Sequence, residues 1–144
     1  MQKKYFFFDI DGTLSLGQTM VMPESAVRCL EQLRANGHFT ALATGRLQAS
    51  AAGFAAQHGF TDFVADGGYS LTVGGKLVEM KSLPVADCIA LIDRLEAADI
   101  PWAVTPVNER ICVTSDKRYL DFAPPEYFPT QYDPTFDYRT LPVL

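Results

Sequence analysis

The chain has 144 residues, 48% hydrophobic and 20% charged, with a formal net charge of −5. That length suits one sizeable domain, or a small domain with part of another, and the acidic balance without any basic run excludes a general nucleic-acid binder. No apolar stretch approaches the roughly 20 residues of a membrane span and no signal-peptide pattern is seen, so a cytoplasmic protein that does not enter the membrane is expected.

The first element is Tyr5-Phe6-Phe7-Phe8, an unbroken aromatic run that predicts a strand buried on both faces. Asp9 and Asp11 follow where that strand leaves the core, with Gly12 and Thr13 next. Two partly desolvated carboxylates so close repel each other and ask for a metal, a proton or both beside them. The stretch PESAVRCLEQLRANGH then places Ala26, Val27, Leu30 and Leu33 on one helical face, with Gly37 as the stop. A second buried strand is expected from Phe39 to about Ala43, a small-residue helix over LQASAAGFAAQHG, and a third short strand in DFVADGG. This alternation predicts an α/β fold with a Rossmann-like, doubly wound parallel sheet, in which ligands gather at the carboxyl ends of the strands. Asp9, Asp11, Thr44 and Asp66 all fall at such ends.

After Gly67 the pattern changes. YSLTVGGKLVEM reads as a hairpin about Gly74-Gly75, and a helix follows from about Val85 to Ala98 with Ile89, Ile92 and Leu95 on its apolar side. PWAVTPVNERICVTS reads as a second hairpin, with strands near Trp102 to Thr105 and Arg110 to Thr114. The final stretch is rich in proline and aromatics and has no periodicity, which predicts an extended tail or an element that waits for a partner. Cys29, Cys88 and Cys112 show no CxxC spacing and read as buried or unreactive thiols. His38 and His58 flank glycines near helix ends, where an imidazolium complements the helix dipole.

Asp9-Ile10-Asp11-Gly12-Thr13, placed after an apolar strand, resembles the first motif, DxDGT, of the haloacid dehalogenase-like (HAD) superfamily of hydrolases. The resemblance implies that Asp9 attacks phosphorus while Asp11 acts as general acid and then base, and that Gly12 permits a turn bringing amides near a phosphate. An acid at position 11, where phosphate-transferring transport ATPases of the family carry Thr, points to a phosphatase. Ala43-Thr44-Gly45-Arg46 is similar to the second motif in the form typical of the Cof-type branch. There the Thr44 hydroxyl and the Gly45 amide would hold phosphate, and Arg46 would pair with substrate, pair with a carboxylate of the inserted cap, or stand as a plain helix-start charge. Asp66-Gly67-Gly68 departs from the Asn-Gly-Ala or Asn-Gly-Gly of that branch; Asp66 reads as a contact to the metal shell, a contact to the cap hinge, or a turn.

The family also implies a lysine that shields the phosphate and a downstream acidic pair that completes a Mg²⁺ shell. Lys76 and Lys81 belong to the hairpin, while Asp133 and Asp137 lack the expected pattern and read as a solvated tail. The resemblance therefore runs from residue 5 to about 114. It implies the N-terminal half of a HAD-like core over residues 1–80 and a partial α/β cap with a tail over 81–144. The implied activity is Mg²⁺-dependent hydrolysis of small-molecule phosphate esters, sugar phosphates first, through a phospho-aspartate. Asp9 and the main-chain carbonyl of Asp11 would be the metal ligands. The 144 residues alone are expected to be incomplete for turnover, and the open edge of the aromatic strand to invite self-association. The alternative is a truncated, catalytically incompetent phosphate- or metal-binding or assembly module.

Overall fold

The aromatic run forms β1 (Tyr5–Phe8) in a computed structural model that describes residues 2–17, 20–122 and 129–140. The chain divides into two units, Met1–Met80 and Lys81–Leu144. In the first, β1 is followed by α1 (Glu24–Ala35), β2 (Phe39–Ala43), α2 (Gln48–His58), β3 (Phe63–Ala65), β4 (Ser70–Val73) and β5 (Lys76–Met80). These strands make one sheet in the order β1-β2-β3-β4-β5. The first three run parallel, with Tyr5 opposite Phe39 and Leu42 opposite Phe63, and the other two join antiparallel.

This strand order decides which residues are buried. Right-handed crossovers that step twice in the same direction lay both helices on the same face of the sheet. Leu30 of α1 and Ala51, Phe54 and Ala55 of α2 accordingly share one core with Ile10, Leu42 and Phe63, and Phe8 packs against it. The other face of β1 stays open. Tyr5 and Phe7 are 64% and 62% exposed, so the expectation of a strand buried on both faces is corrected to burial on one. The four aromatics hid the alternation because both faces carry the same residue type.

α1 ends as its pattern predicts, with the amide of His38 donating to the carbonyl of Leu33 beyond the last turn. α2 has no capping side chain of its own at its N-terminus. Instead both carboxylate oxygens of Asp66, at the exit of β3, accept from the Gln48 amide at 3.2 Å. The β4–β5 hairpin turns on Gly74 and Gly75, whose φ of 58° and 76° are the left-handed pair that a two-residue hairpin requires.

In the second unit, α3 (Val85–Ala97) buries Ile92 against Trp102 and Tyr138, with Ile89, Leu95, Val104 and Phe136 around them. The expected second hairpin is reduced to a single antiparallel bridge between Val104 and Val113. Pro106 has no amide donor and restrains Thr105, so that ladder cannot lengthen. β6 (Cys112–Thr114) pairs instead with β7 (Thr130–Tyr132), parallel and within the segment expected to be a tail. That segment is anchored as well as paired: the Tyr138 ring lies 5.1 Å from that of Trp102, and its hydroxyl donates to Asp93 at 2.5 Å. Residues 123–128 and 141–144 of the same stretch lie outside the described residues. Among the cysteines, Cys112 is buried, Cys88 is half-buried and Cys29 is exposed on α1, so of the two expected readings burial applies to Cys112 and not to Cys29.

Candidate active site

β1, β2 and β3 lie side by side and parallel, so the residues that follow them, Asp9, Thr44 and Asp66, come together at one end of the sheet. The loop after β1 is built on Ile10, which is fully buried. Its carbonyl accepts from the amides of Thr13, Leu14 and Ser15 at 3.3, 3.0 and 2.8 Å. With Ile10 pointing in, its neighbours Asp9 and Asp11 point away from the core. Gly12 has φ of +77° and open space where a Cβ would stand, so the backbone and not crowding demands glycine there. Its amide donates to Ser15 at 2.9 Å. The amides of Gly12 and Thr13 are therefore used inside the loop.

The Asp9 carboxylate is exposed and has no hydrogen-bond or ion-pair partner among the described residues. Asp11 is held tightly. Arg46 donates from Nε to its Oδ2 at 2.9 Å and from Nη2 to its Oδ1 at 2.7 Å. This bidentate fork is the strong geometry for a guanidinium and a carboxylate. The cation that two neighbouring acids require beside them is thus supplied, in part, from within the chain. The Arg46 side chain is 11% exposed against 34% for that of Asp11.

Thr44 is buried, and its hydroxyl oxygen accepts from the Arg46 amide at 3.1 Å. That bond fixes the oxygen and leaves its proton to donate. The Gly45 amide has no backbone partner, and nothing lies within 4 Å of where a Cβ would stand. The two groups form a small donor pair beside Asp9. Asp66 has φ of 53°, and its own amide donates to the carbonyl of Arg46 at 2.8 Å. With its carboxylate on the first amide of α2, Asp66 is a helix cap supplied from a distant loop, and it also opens the turn over Asp66–Gly68, one of its expected readings.

Two oxygen ligands suit a small hard cation: the unpartnered Asp9 carboxylate and the Asp11 carbonyl, which accepts no backbone hydrogen bond. Among the described residues there is no group of three or more His, Cys, Asp or Glu that would hold a metal unaided. Asp133 accepts from the amide and hydroxyl of Thr135 at 2.8 and 2.7 Å, which holds its carboxyl below the usual range, and Asp137 accepts from the Arg139 amide. Both are local turn acceptors. The second unit has an open cavity of about 470 Å³ lined by residues including Trp102, Lys117 and Arg118, and Arg118 is matched there by Asp116 and Asp99.

Three residues of the site have no signal in the motifs. Nη1 of Arg46 lies 3.5 Å from Sδ of Met20, the Phe54 ring centroid lies 5.6 Å from the guanidinium carbon, and His58 Nε2 donates to the Met20 carbonyl at 2.8 Å. The four-residue spacing of Phe54 and His58 on α2 is the one clue the sequence holds.

A two-acid loop after the first strand and Thr-Gly-Arg after the second stand on parallel strands backed by helices, an α/β scaffold with its candidate site at the strand ends. The chain belongs to the haloacid dehalogenase-like hydrolase family, whose model matches residues 6–140. Solved structures share the fold. A hypothetical protein from Geobacillus kaustophilus is 24% identical with a TM-score of 0.76, over 99% of this chain and 56% of that one. A haloacid dehalogenase-like hydrolase from Bacteroides thetaiotaomicron is 17% identical with a TM-score of 0.72, over 99% and 56%. A protein described as a HAD subclass IIB sugar phosphatase is 21% identical with a TM-score of 0.68, over 91% and 53%. The chain spans about half the length of these structures. No curated protein matches it.

Proposed function

We propose that residues 1–80 are the nucleophile-bearing half of a phosphatase core and residues 81–144 part of its cap. The protein to which they belong would hydrolyse small phosphorylated metabolites, sugar phosphates first. The observation that carries this reading is the meeting of a free Asp9 carboxylate, an oriented Asp11 and the Thr44–Gly45 donors at adjacent strand ends. The sugar-phosphate class is supported by the description of one structural neighbour as a sugar phosphatase.

In this reading an Asp9 oxygen attacks phosphorus and the bond to the leaving oxygen breaks, while Asp11 gives that oxygen its proton. Asp11, now a base, takes a proton from water as the water attacks the phospho-aspartate, which frees phosphate and restores Asp9. The Thr44 hydroxyl and Gly45 amide hold phosphoryl oxygens, and Gly12 serves as the hinge of the loop. Asp9 and the Asp11 carbonyl would hold Mg²⁺, which when bound supplies charge neutralisation on the phosphate. The metal role of Asp11 falls to its main chain because its side chain is engaged by Arg46.

No described helix is long and apolar enough to cross a membrane. The free thiols of Cys29, Cys88 and Cys112 support a cytoplasmic home, where such groups stay reduced. Asp9→Asn in the full-length protein is expected to abolish phospho-enzyme labelling by a phosphorylated sugar; normal turnover in that variant would remove Asp9 as nucleophile. Asp11→Asn is expected to slow both half-reactions by roughly a hundred- to ten-thousandfold.

A further inference from the structure

Arg46 sits in a motif read as touching substrate, yet its geometry is directed elsewhere. The Nε and Nη2 edge that would grip a phosphate is already closed on both oxygens of Asp11. The remaining nitrogen, Nη1, rests on Met20 Sδ, and the Phe54 ring lies against the guanidinium. Met20 is held in turn, because His58 donates from Nε2 to its carbonyl while the His58 ring lies 4.4 Å from that of Phe54. Phe54 and His58 stand four residues apart on α2 and so share one helix face. That face braces the arginine directly through Phe54 and indirectly through His58 and Met20.

We propose that Arg46 is a positioning residue for Asp11, and that Met20, Phe54 and His58 form the clamp that keeps it in place. The proposal rests on Asp11 being the acid/base of the reaction. A carboxylate accepts about four hydrogen bonds, so the two taken by Arg46 leave a lone pair on each oxygen for proton transfer. The fork fixes the plane and rotamer of the carboxylate. Lysine cannot replace it, since a single ammonium sets charge but not plane. A guanidinium also favours the ionised form of the carboxylate, which suits the base half-reaction directly, while for the acid half-reaction a free lone pair must first take up the proton that Asp11 then gives to the leaving oxygen.

The direct test is the χ1 rotamer of Asp11, read from three-bond NMR couplings to its carboxyl carbon in the protein without substrate. The wild type is expected to show one rotamer, Arg46→Lys averaged couplings, and His58→Leu averaged couplings. His58→Gln, which keeps an N–H near the position of Nε2, is expected to restore the single rotamer. A single rotamer retained in Arg46→Lys and His58→Leu, or averaging already present in the wild type, would overturn the clamp.

These couplings need no turnover. A protein that holds Asp11 still but hydrolyses no phosphate ester would sink the proposed function and leave the clamp standing. In active full-length protein, Arg46→Lys is expected to cut kcat for an alkyl phosphate roughly ten- to hundredfold with KM little changed. The first-turnover burst with 4-nitrophenyl phosphate, whose leaving group needs no proton, should be nearly spared. A rise in KM for both esters with kcat preserved would return Arg46 to substrate binding and overturn the proposal.

Discussion

Thr44 carries two duties on one oxygen, accepting the Arg46 amide while keeping a proton to donate. Thr44→Val preserves the branched shape and removes both. Phosphate affinity should fall by roughly 1.5 to 3 kcal/mol, the worth of one hydrogen bond to a charged group, with the fold retained. Calorimetry that finds phosphate binding unchanged would leave Thr44 as a structural residue only. Asp9, Asp11 and Thr44 were legible in the sequence because each follows an apolar run that ends abruptly, and a polar residue at a strand end needs a reason to be there. Arg46 was legible as a charge but not as a partner of Asp11, 35 residues away. Met20 was not legible at all and His58 only through its four-residue spacing from Phe54, since a main-chain carbonyl accepting from a distant imidazole leaves no trace in residue type.

At the scale of elements, the three βα-linked strands, the Gly74-Gly75 hairpin and α3 could be anticipated from period and turn chemistry. The loss of the second hairpin and the pairing of β6 with β7 could not, because parallel pairing between segments this far apart is fixed by tertiary packing and by no local pattern. Tyr138 is the pin of that arrangement. Burial, and hydrogen bonds to Asp93 and Glu96, push its phenol up to about 12. The unfolded chain titrates near the ordinary value of about 10, so the fold favours the neutral phenol. Its contribution is complete below about pH 10 and is lost as pH rises toward 12. Urea stability of the wild type should therefore decline across that window more steeply than that of Tyr138→Phe, which has no proton to lose. Parallel declines in the two proteins would show that Tyr138 does not hold the segment in this way.

For the molecule as a whole, the sheet of the first unit ends on β1, an edge strand whose Tyr5 and Phe7 face outward. Edge strands of this kind pair with other chains unless charge or cover blunts them. We predict concentration-dependent self-association of the 144-residue chain through this edge, and its relief by Phe7→Lys. Sedimentation of the wild type as a monomer at every concentration would contradict both. The distant cap on α2 has a consequence for how this unit is made. Its first turn is completed by a carboxylate from beyond β3, so the helix cannot gain that bond until β3 has docked beside β2. The loop bearing Thr44 and Arg46 is tied into the same event, because the Asp66 amide closes on the Arg46 carbonyl. Helix, strand and site loop are therefore joined by one set of hydrogen bonds, so that loss of the Asp66 carboxylate should loosen the start of α2.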